Sequence, residues 1–183
     1  LRMLKRQTIQ PQRILLINTE EEFFHSKVFP TLKQGEIVHI TKPEFDHGGT
    51  RNQAARMCDG EIMILLTQDA IPADEYLIEN LLKPFEDEEV CAAYGRQMAD
   101  KKDNPIEAYT RIFNYPKESR IKSKKDLPEL GIKTFFCSNV CAAYRKSEYD
   151  ALGGFPLHTI FNEDMIMAAK IIQSGGLVKY VAE

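Results

Sequence analysis

The sequence predicts one α/β domain over residues 1–183, with a mainly parallel β-sheet flanked by helices. Short apolar runs that end in polar residues alternate with segments of helical spacing, as in βαβ units. The two clearest runs are Ile14–Ile17 and Ile62–Leu66, and the second is followed by Thr67-Gln68-Asp69. Neither run alternates with polar residues, which indicates strands buried on both faces. Polar groups just past such strands lie where open α/β sheets bind ligands.

Three further elements are predicted in the N-terminal part of the chain. Leu1–Gln7 has the pattern of the last turns of a helix, and Glu36–Thr41 is a short strand with partial alternation. A helix over residues 54–58 follows the segment 47–53, in which Thr50 and Gln53 have the spacing of a capping box.

The C-terminal part continues the alternation of helices and extended segments. The pattern predicts helices over about Asp74–Phe85, Pro105–Tyr115, Lys146–Leu152 and Glu163–Ser174, and extended segments over Val90–Tyr94, Thr134–Tyr144 and Leu177–Val181. Residues 116–131 have little apolar content and carry the basic cluster Lys122-Ser123-Lys124-Lys125, so we expect a mobile loop there. We also expect the natural polypeptide to continue beyond both ends.

Composition limits the class of protein. The 183 residues are 43% hydrophobic and 28% charged, which is typical of a globular domain with a sizeable core. A net charge of −3 gives no basic field for nucleic acid, and the apolar runs are too short for a membrane span of ~20 residues. The four cysteines lack metal-ligand spacing, and we expect them to be reduced core residues of a cytoplasmic protein.

Asp69 is the first candidate for chemistry. A hard divalent cation such as Mg²⁺ takes oxygen ligands, often one or two carboxylates together with substrate phosphates. One Asp at the end of a buried strand meets that minimal requirement. A turn-forming Asp ahead of Pro72 explains the same residue, so spacing alone leaves both interpretations open.

Glu163 and Asp164 open a helix that is apolar nearly all round, and Asn162 is suited to cap it. A carboxylate fixed at the mouth of a buried helix is a candidate general base. First-turn acids that favour the helix dipole are the alternative. Burial raises the pKa of such a carboxyl and the helix end lowers it, so the sequence does not give the net direction.

Gly48, Gly49 and Arg51 form the third candidate site. Glycines that enter a helix N-terminus beside an Arg suit a phosphate or pyrophosphate. The segment is neither a P-loop nor a G-x-G-x-x-G fingerprint. A simple turn with a capping box is the alternative.

Seven stretches, taken in order, resemble the family-2 inverting glycosyltransferases of GT-A fold, and more narrowly their bacterial rhamnosyltransferase-like members. They are FDHGGTRNQAA (45–55), LLTQDAIPAD (65–74), YGRQ (94–97), FNYPKES (113–119), GIKTFFCSNVCAAYR (131–145), LGGFP (152–156) and NEDMIMAAK (162–170). Each stretch is weakly specific, but together they span most of the chain in the family's order.

The resemblance implies a GT-A, Rossmann-like nucleotide-diphospho-sugar transferase fold, whose first strand would precede Leu1. Asp69 matches the last Asp of the family's D-x-D motif, which binds Mg²⁺ or Mn²⁺ on the donor diphosphate. Thr67 replaces the first Asp of that motif, and Gln68 lies between them on the donor side. The other residues that would approach the donor are Gly48, Gly49 and Arg51.

The resemblance also implies where the reaction takes place. Asp164, preceded by Glu163, matches the catalytic base of the family's E-D motif. It would take the proton of the acceptor hydroxyl as that oxygen attacks the anomeric carbon, opposite the departing diphosphate. Ser138 and Asn139 are the expected acceptor contacts.

The implied function is an inverting, metal-dependent glycosyltransferase of surface-polysaccharide synthesis, with rhamnose a candidate donor sugar. Its partners would be a nucleotide-diphosphate sugar and a glycan or lipid-linked acceptor, with no nucleic acid. The basic cluster suggests a peripheral contact with the inner face of the membrane. A nucleotidyltransferase of similar fold and a non-catalytic nucleotide-sugar-binding domain are the alternatives. Thr67, in place of the first Asp, favours the non-catalytic domain, whereas the Glu163-Asp164 pair argues against a non-catalytic domain.

Overall fold

The computed structural model describes residues 1–25, 27, 29–99 and 104–183. Its strands are β1 (Ile14–Thr19), β2 (Gly35–Ile40), β3 (Ile62–Leu66), β4 (Val90–Gly95), β5 (Arg120–Lys122), β6 (Cys141–Arg145) and β7 (Leu177–Val181). Its helices are α1 (His47–Met57), α2 (Leu77–Leu82), α3 (Pro105–Asn114), α4 (Leu127–Leu130), α5 (Lys146–Ala151) and α6 (Glu163–Gln173). The alternation of strands and helices confirms the predicted α/β class.

Two sheets make up this architecture. β1 and β2 form a parallel pair, and the larger sheet has the strand order β3-β6-β4-β7-β5. In the larger sheet β4 and β7 are parallel, whereas β6 is antiparallel to β3 and β4, and β5 is antiparallel to β7. The expected mainly parallel pairing is therefore corrected for this sheet, although β3, β4 and β7 share one direction. A strand buried on both faces has the same continuous apolar run in either direction, so the sequence carried no signal for the reversal.

Helices cover both faces of the larger sheet. On one face α6 contributes the core residues Met167, Ala168, Ile171 and Ile172. On the other face α2 contributes Leu81. Successive strand residues supply the two faces, because Ala92 and Ala142 belong to the first cluster and Ala93 and Ala143 to the second. These small side chains are fully buried.

Two predicted elements are shorter in the structure than the sequence suggested. The N-terminal helix expected over Leu1–Gln7 is a single 3₁₀ turn, Leu4–Arg6. So few residues make too few hydrogen bonds to hold an α-helix without packing. The extended segment expected over Thr134–Tyr144 begins as the 3₁₀ turn Gly131–Phe135 and becomes a strand only at Cys141.

Helix α1 begins at His47, well ahead of its predicted start. Asp46 is the N-cap, and its Oδ1 accepts the N–H of Gly49 at 2.5 Å. The predicted capping box of Thr50 and Gln53 is therefore wrong, because Asp46 already caps this end. The two glycines lie inside the first turn of the helix rather than in a loop before it.

Residues 116–131, where we expect a mobile loop, contain the regular elements β5 and α4. Arg120 bonds Asp126 at 2.8 Å and Glu129 at 2.9 Å, which ties the strand to the helix. Lys122 of the basic cluster is buried, with its ammonium 4.7 Å from the ring centroid of Tyr94. That burial lowers the pKa of Lys122 to about 8. Pairing at the sheet edge supplied the order that local composition did not indicate.

Helix α3 carries an apolar stripe that is exposed to solvent. Ile106, Tyr109 and Phe113 are 79%, 68% and 54% exposed.

All four cysteines are free thiols, and Cys91, Cys137 and Cys141 are buried, as expected of core residues. Within the described residues, no helix is both long and apolar enough to cross a membrane.

Candidate functional site

Asp164 lies in the first turn of α6, beside the segment that leads into β6. Its Oδ2 accepts the backbone N–H of Asn139 at 3.1 Å, and its Oδ1 accepts the N–H of Met165 at 2.8 Å. Asn162, which the sequence predicted as the N-cap, is left-handed with φ 68° and makes no side-chain cap bond. The Asp164 carboxylate is therefore held by two backbone N–H groups, and the Asn162 side chain does not cap the helix.

The surroundings of Asp164 raise its pKa. Burial is the largest cause, and the nearby charge of Glu163 adds to it. The N–H of Asn139, the N–H of Met165 and the charge of Arg51 act in the opposite direction. Burial prevails, so the conjugate base is stronger than an ordinary Asp carboxylate, as a general base requires.

Glu163 has a different environment, although it is the neighbouring residue. It is 5% exposed, and its Oε1 lies 3.2 Å from Asn139 Nδ2 and 3.3 Å from an Arg51 nitrogen. Its carboxylate faces α1 and the 138–140 segment, whereas Asp164 lines an open cavity. The structure thus separates the two predicted catalytic acids. Asp164 lines the cavity, and Glu163 is a buried carboxyl group that joins α6 to α1 through Arg51.

Asn139 is also internal. It is 2% exposed, its amide nitrogen donates to Glu163, and its Oδ1 accepts the hydroxyl of Tyr144 at 2.8 Å. Because both ends of the amide are engaged inside the protein, the predicted acceptor contact of Asn139 is corrected. Ser138, the other predicted acceptor residue, does line the cavity with Asp164.

The cavity beside Asp164 has a volume of about 400 Å³. Helix α3 forms one wall through residues such as Arg111, and Gln97 and Tyr115 contribute polar groups. Neither Gln97 nor Tyr115 was predicted as a site residue from the sequence. Gln97 follows the carboxyl end of β4, and the same rule that pointed to Asp69 could have found it. Tyr115 carried no comparable signal, because it follows a helix and not a strand.

The glycine-containing turn of α1 packs against the segment that precedes α6. A β-carbon on Gly48 would lie 1.9 Å from the carbonyl oxygen of Pro156. Asn52 makes two bonds of 2.9 Å with the backbone of Phe155, one to its N–H and one to its carbonyl. Asp46 accepts the N–H of His158 at 3.1 Å. The start of α1 is therefore a clamp on residues 155–158.

Arg51 completes this clamp by its contact with Glu163. It also donates to the carbonyl of His47 at 2.9 Å, and its side chain is only 20% exposed. The donor-binding role of Gly48, Gly49 and Arg51 stays a prediction, and the structure shows contacts inside the protein for all three. Close packing requires Gly48, the N–H of Gly49 bonds its own N-cap, and Arg51 pairs with a buried carboxylate.

Asp69 and Gln68 are exposed in the turn that follows β3. Thr67 connects this turn to the 138–140 segment, because its N–H donates to the carbonyl of Val140 at 3.1 Å. Within the described part of the chain, its buried Oγ1 has no hydrogen-bond partner, and no three His, Cys, Asp or Glu side chains gather as a metal-binding group. These residues fit a cation that arrives with a diphosphate, since one exposed carboxylate then suffices. They do not form a complete protein site.

Comparison with known proteins identifies relatives of the chain. The model of the family described as glycosyl transferase family 2 matches residues 2–153, a range that ends before Asp164. The O-antigen chain rhamnosyltransferase RfbN of Salmonella typhimurium (strain LT2) is 46% identical over 181 residues. The O-antigen chain rhamnosyltransferase WbaN of Salmonella anatum is 44% identical over 180 residues. Both alignments cover 98% of this chain but 58% and 57% of the relatives, so the chain spans little more than half their length.

Solved structures show that the fold is shared more widely. The mannosyltransferase PcManGT from Pyrobaculum calidifontis, in complex with GDP-Man and Mn²⁺, has a TM-score of 0.61 at 17% identity. S. aureus TarS 1–349 has a TM-score of 0.70 at 12% identity, and its complex with UDP-GlcNAc 0.65 at 13%. The three comparisons cover 99–100% of this chain and 51–52% of the other. They confirm the GT-A fold that the sequence resemblance implied.

Proposed function

This chain belongs to glycosyl transferase family 2, and on that premise we propose that it is the catalytic part of an inverting rhamnosyltransferase of surface-polysaccharide synthesis. The proposal rests on the two relatives of about 45% identity, both named O-antigen chain rhamnosyltransferases. The observation that carries it is the placement of Asp164, a carboxylate of raised pKa on the wall of a substrate-sized cavity.

The proposed reaction is a single displacement. An acceptor hydroxyl in the cavity gives its proton to Asp164 while its oxygen bonds the anomeric carbon of the donor sugar. The bond from that carbon to the diphosphate breaks, with the electron pair leaving on the phosphate oxygen. Attack opposite the leaving group inverts the anomeric centre. The N–H groups of Asn139 and Met165, which donate to Asp164, hold its carboxylate oxygens in place for this transfer.

The donor would bind on the side of Asp164 where β3 ends. Asp69 supplies the exposed carboxylate there, with Thr67 and Gln68 in the same turn. A Mg²⁺ or Mn²⁺ ion bound by Asp69 and the diphosphate would supply positive charge that stabilises the departing nucleotide. The neighbour that was solved with GDP-Man and Mn²⁺ supports this choice of partner and cofactor.

The decisive experiment is a binding and transfer screen of the full-length protein against dTDP-, GDP- and UDP-sugars, with and without Mg²⁺ or Mn²⁺. We expect transfer from one diphosphate sugar, with release of the nucleoside diphosphate. Asp164→Asn should abolish transfer and leave nucleotide binding unchanged. Release of pyrophosphate would instead identify a nucleotidyltransferase. Binding without transfer by the wild type would identify a non-catalytic domain.

We further propose that the acceptor is a lipid-linked glycan and that the protein works at the cytoplasmic face of the membrane. One side of α3 lines the cavity, while its other side exposes Tyr109, Ile112 and Phe113. Lys133 lies 3.5 Å from the ring centroid of Phe113, so a cation borders this apolar face. Apolar side chains next to cations are typical of helices at anionic lipid surfaces.

Co-sedimentation of the full-length protein with phosphatidylglycerol vesicles tests the membrane contact. Ile112→Asp should release the protein from the vesicles. Ile71→Asp is the matched control, because Ile71 is 82% exposed at a site remote in sequence from α3 and should tolerate the charge. Equal binding of the two variants, or absence of wild-type binding, would contradict the proposal.

A further inference from the structure

Three polar side chains meet in the cavity wall, and only Ser138 among them was predicted from the sequence. Gln97 follows β4, Tyr115 follows α3, and Ser138 precedes β6. The Gln97 amide nitrogen lies 2.5 Å from the Tyr115 hydroxyl and 2.9 Å from the Ser138 hydroxyl. All three residues line the same cavity as Asp164. We call this cluster the hydroxyl triad.

The hydrogen atoms of the triad can be counted. The Gln97 amide nitrogen is a donor with two hydrogens, and here one goes to each hydroxyl oxygen. Each hydroxyl therefore accepts from Gln97 and keeps its own hydrogen to donate. Even if one hydroxyl donates to the other, the second has no acceptor left within the triad. Among the residues that the structure describes, no other acceptor bonds this second O–H, so it can donate to a group in the cavity.

Tyr115 is well suited to remain such a donor. Its ring is packed against Phe136 and Tyr180, with ring centroids 5.5 and 6.3 Å away, which fixes the position of its hydroxyl. Burial raises the pKa of Tyr115 to about 12, so the phenol stays protonated at neutral pH. The cavity wall therefore has a fixed, neutral hydrogen-bond donor, Tyr115, and a hydrogen-bond acceptor, the Asp164 carboxylate.

We propose that the hydroxyl triad and Asp164 together form a subsite for two neighbouring oxygens of a saccharide acceptor. Asp164 accepts the hydrogen of the attacking hydroxyl, while the triad donates to an adjacent sugar oxygen. The pair orients the acceptor, because only one of two vicinal hydroxyls then faces the base. Gln97 and Ser138 act by aiming and supplying donors, and Tyr115 is the contact residue. This inference rests on the proposed glycosyltransferase function and names the acceptor group that its site selects.

The first test reverses the polarity of the triad. In Gln97→Glu, the new carboxylate accepts from both hydroxyls and draws their hydrogens out of the cavity. Tyr115→Phe removes one donor and keeps the ring in its aromatic contacts. Tyr180→Phe is the matched control, because its hydroxyl donates to the Pro116 carbonyl at 2.6 Å instead of joining the triad. All three variants are made in the full-length protein and checked for unchanged folding by circular dichroism.

The readout is the split between acceptor KM and donor KM in steady-state transfer. Loss of one well-placed hydrogen bond should raise the acceptor KM about tenfold. This rise is expected in Gln97→Glu and Tyr115→Phe but not in Tyr180→Phe, with donor KM unchanged in all three. An unchanged acceptor KM in both triad variants overturns the proposal. An equal rise in Tyr180→Phe overturns it as well, since the effect would then be structural.

A second measurement does not depend on transfer. Saturation-transfer NMR with methyl β-D-galactopyranoside, and with its glucose and mannose counterparts, detects weak sugar binding without donor or metal. At least one glycoside should bind the wild type, lose signal in Tyr115→Phe and retain it in Tyr180→Phe. Sugar binding that is the same in Tyr115→Phe as in the wild type refutes the subsite. If no nucleotide sugar supports transfer while this pattern holds, the proposed reaction fails and the subsite stands.

Discussion

Gly48 gives a direct test of how the structure places Asp164. A β-carbon there would lie 1.9 Å from the Pro156 carbonyl oxygen, whereas real β-carbons essentially never come within 3.0 Å of such an atom. Gly48→Ala must therefore move α1 and the 155–158 segment apart by about 1.1 Å or more. The obstacle is a backbone carbonyl, so no side-chain rotation can relieve the contact.

Two free-energy terms oppose each other in this variant. Replacing Gly by Ala in a helix favours folding by at most about 1 kcal/mol, and by less in a first turn. Forcing extra volume into a packed contact costs roughly 1–3 kcal/mol. With backbone on both sides of the contact the steric cost prevails, and we expect a net loss of about 1–2 kcal/mol in the free energy of unfolding.

Urea unfolding of the full-length protein measures this loss. The matched control is Gly60→Ala, whose β-carbon would meet its nearest atom at an ordinary 3.5 Å, and its stability should change by about 0.5 kcal/mol or less. Transfer should slow in Gly48→Ala, because the displaced segment leads directly into α6, while nucleotide affinity stays the same. A variant with wild-type stability but weakened nucleotide binding would refute the clamp. It would return Gly48 to the phosphate-binding role that the sequence suggested.

Three further changes probe the same site. Glu163→Gln removes a negative charge that raises the pKa of Asp164, so the acid limb of the pH–rate profile should move to lower pH; an unmoved limb would show that the two acids are uncoupled. Tyr144→Phe leaves the buried Asn139 Oδ1 unpaired and should lower the free energy of unfolding by about 1–3 kcal/mol in urea titrations, and equal stability would contradict the bond. Asp69→Ala should weaken donor binding in the presence of Mn²⁺ but not in EDTA, measured by calorimetry; an equal loss in both would remove Asp69 from the metal.

The sequence located most elements of the fold and the residue at the centre of the site. Ile62–Leu66, Val90–Tyr94 and Leu177–Val181 were found because a fully buried strand has a continuous apolar run. The helix from Glu163 was found because its apolar face spans several turns and the acids open it. The same signal indicated Glu163 and Asp164 together as carboxylates at the mouth of that helix, and the resemblance to the family's E-D motif selected Asp164.

Other features depended on contacts that the local sequence does not encode. The direction of β6 is set by its partners, and the order of residues 116–131 comes from pairing of β5 with β7. Arg51 and the two glycines matched a phosphate site in sequence, since glycine and arginine serve both anion binding and close packing. The packing use became visible only from the folded positions of Pro156 and Glu163, and the phosphate-binding use stays a prediction.

What the sequence determined by itself is the class of fold and the chemical type of its central residue, because burial patterns and helix starts are local. The tertiary structure decided which carboxylate faces the cavity. Glu163 and Asp164 are adjacent in the chain, yet the first turn of α6 directs one towards Arg51 and Asn139 and the other into the cavity. The tertiary structure also brought together Gln97, Tyr115 and Ser138, which lie up to 41 positions apart in the chain. They meet because strand ends and a helix end converge at the cavity wall.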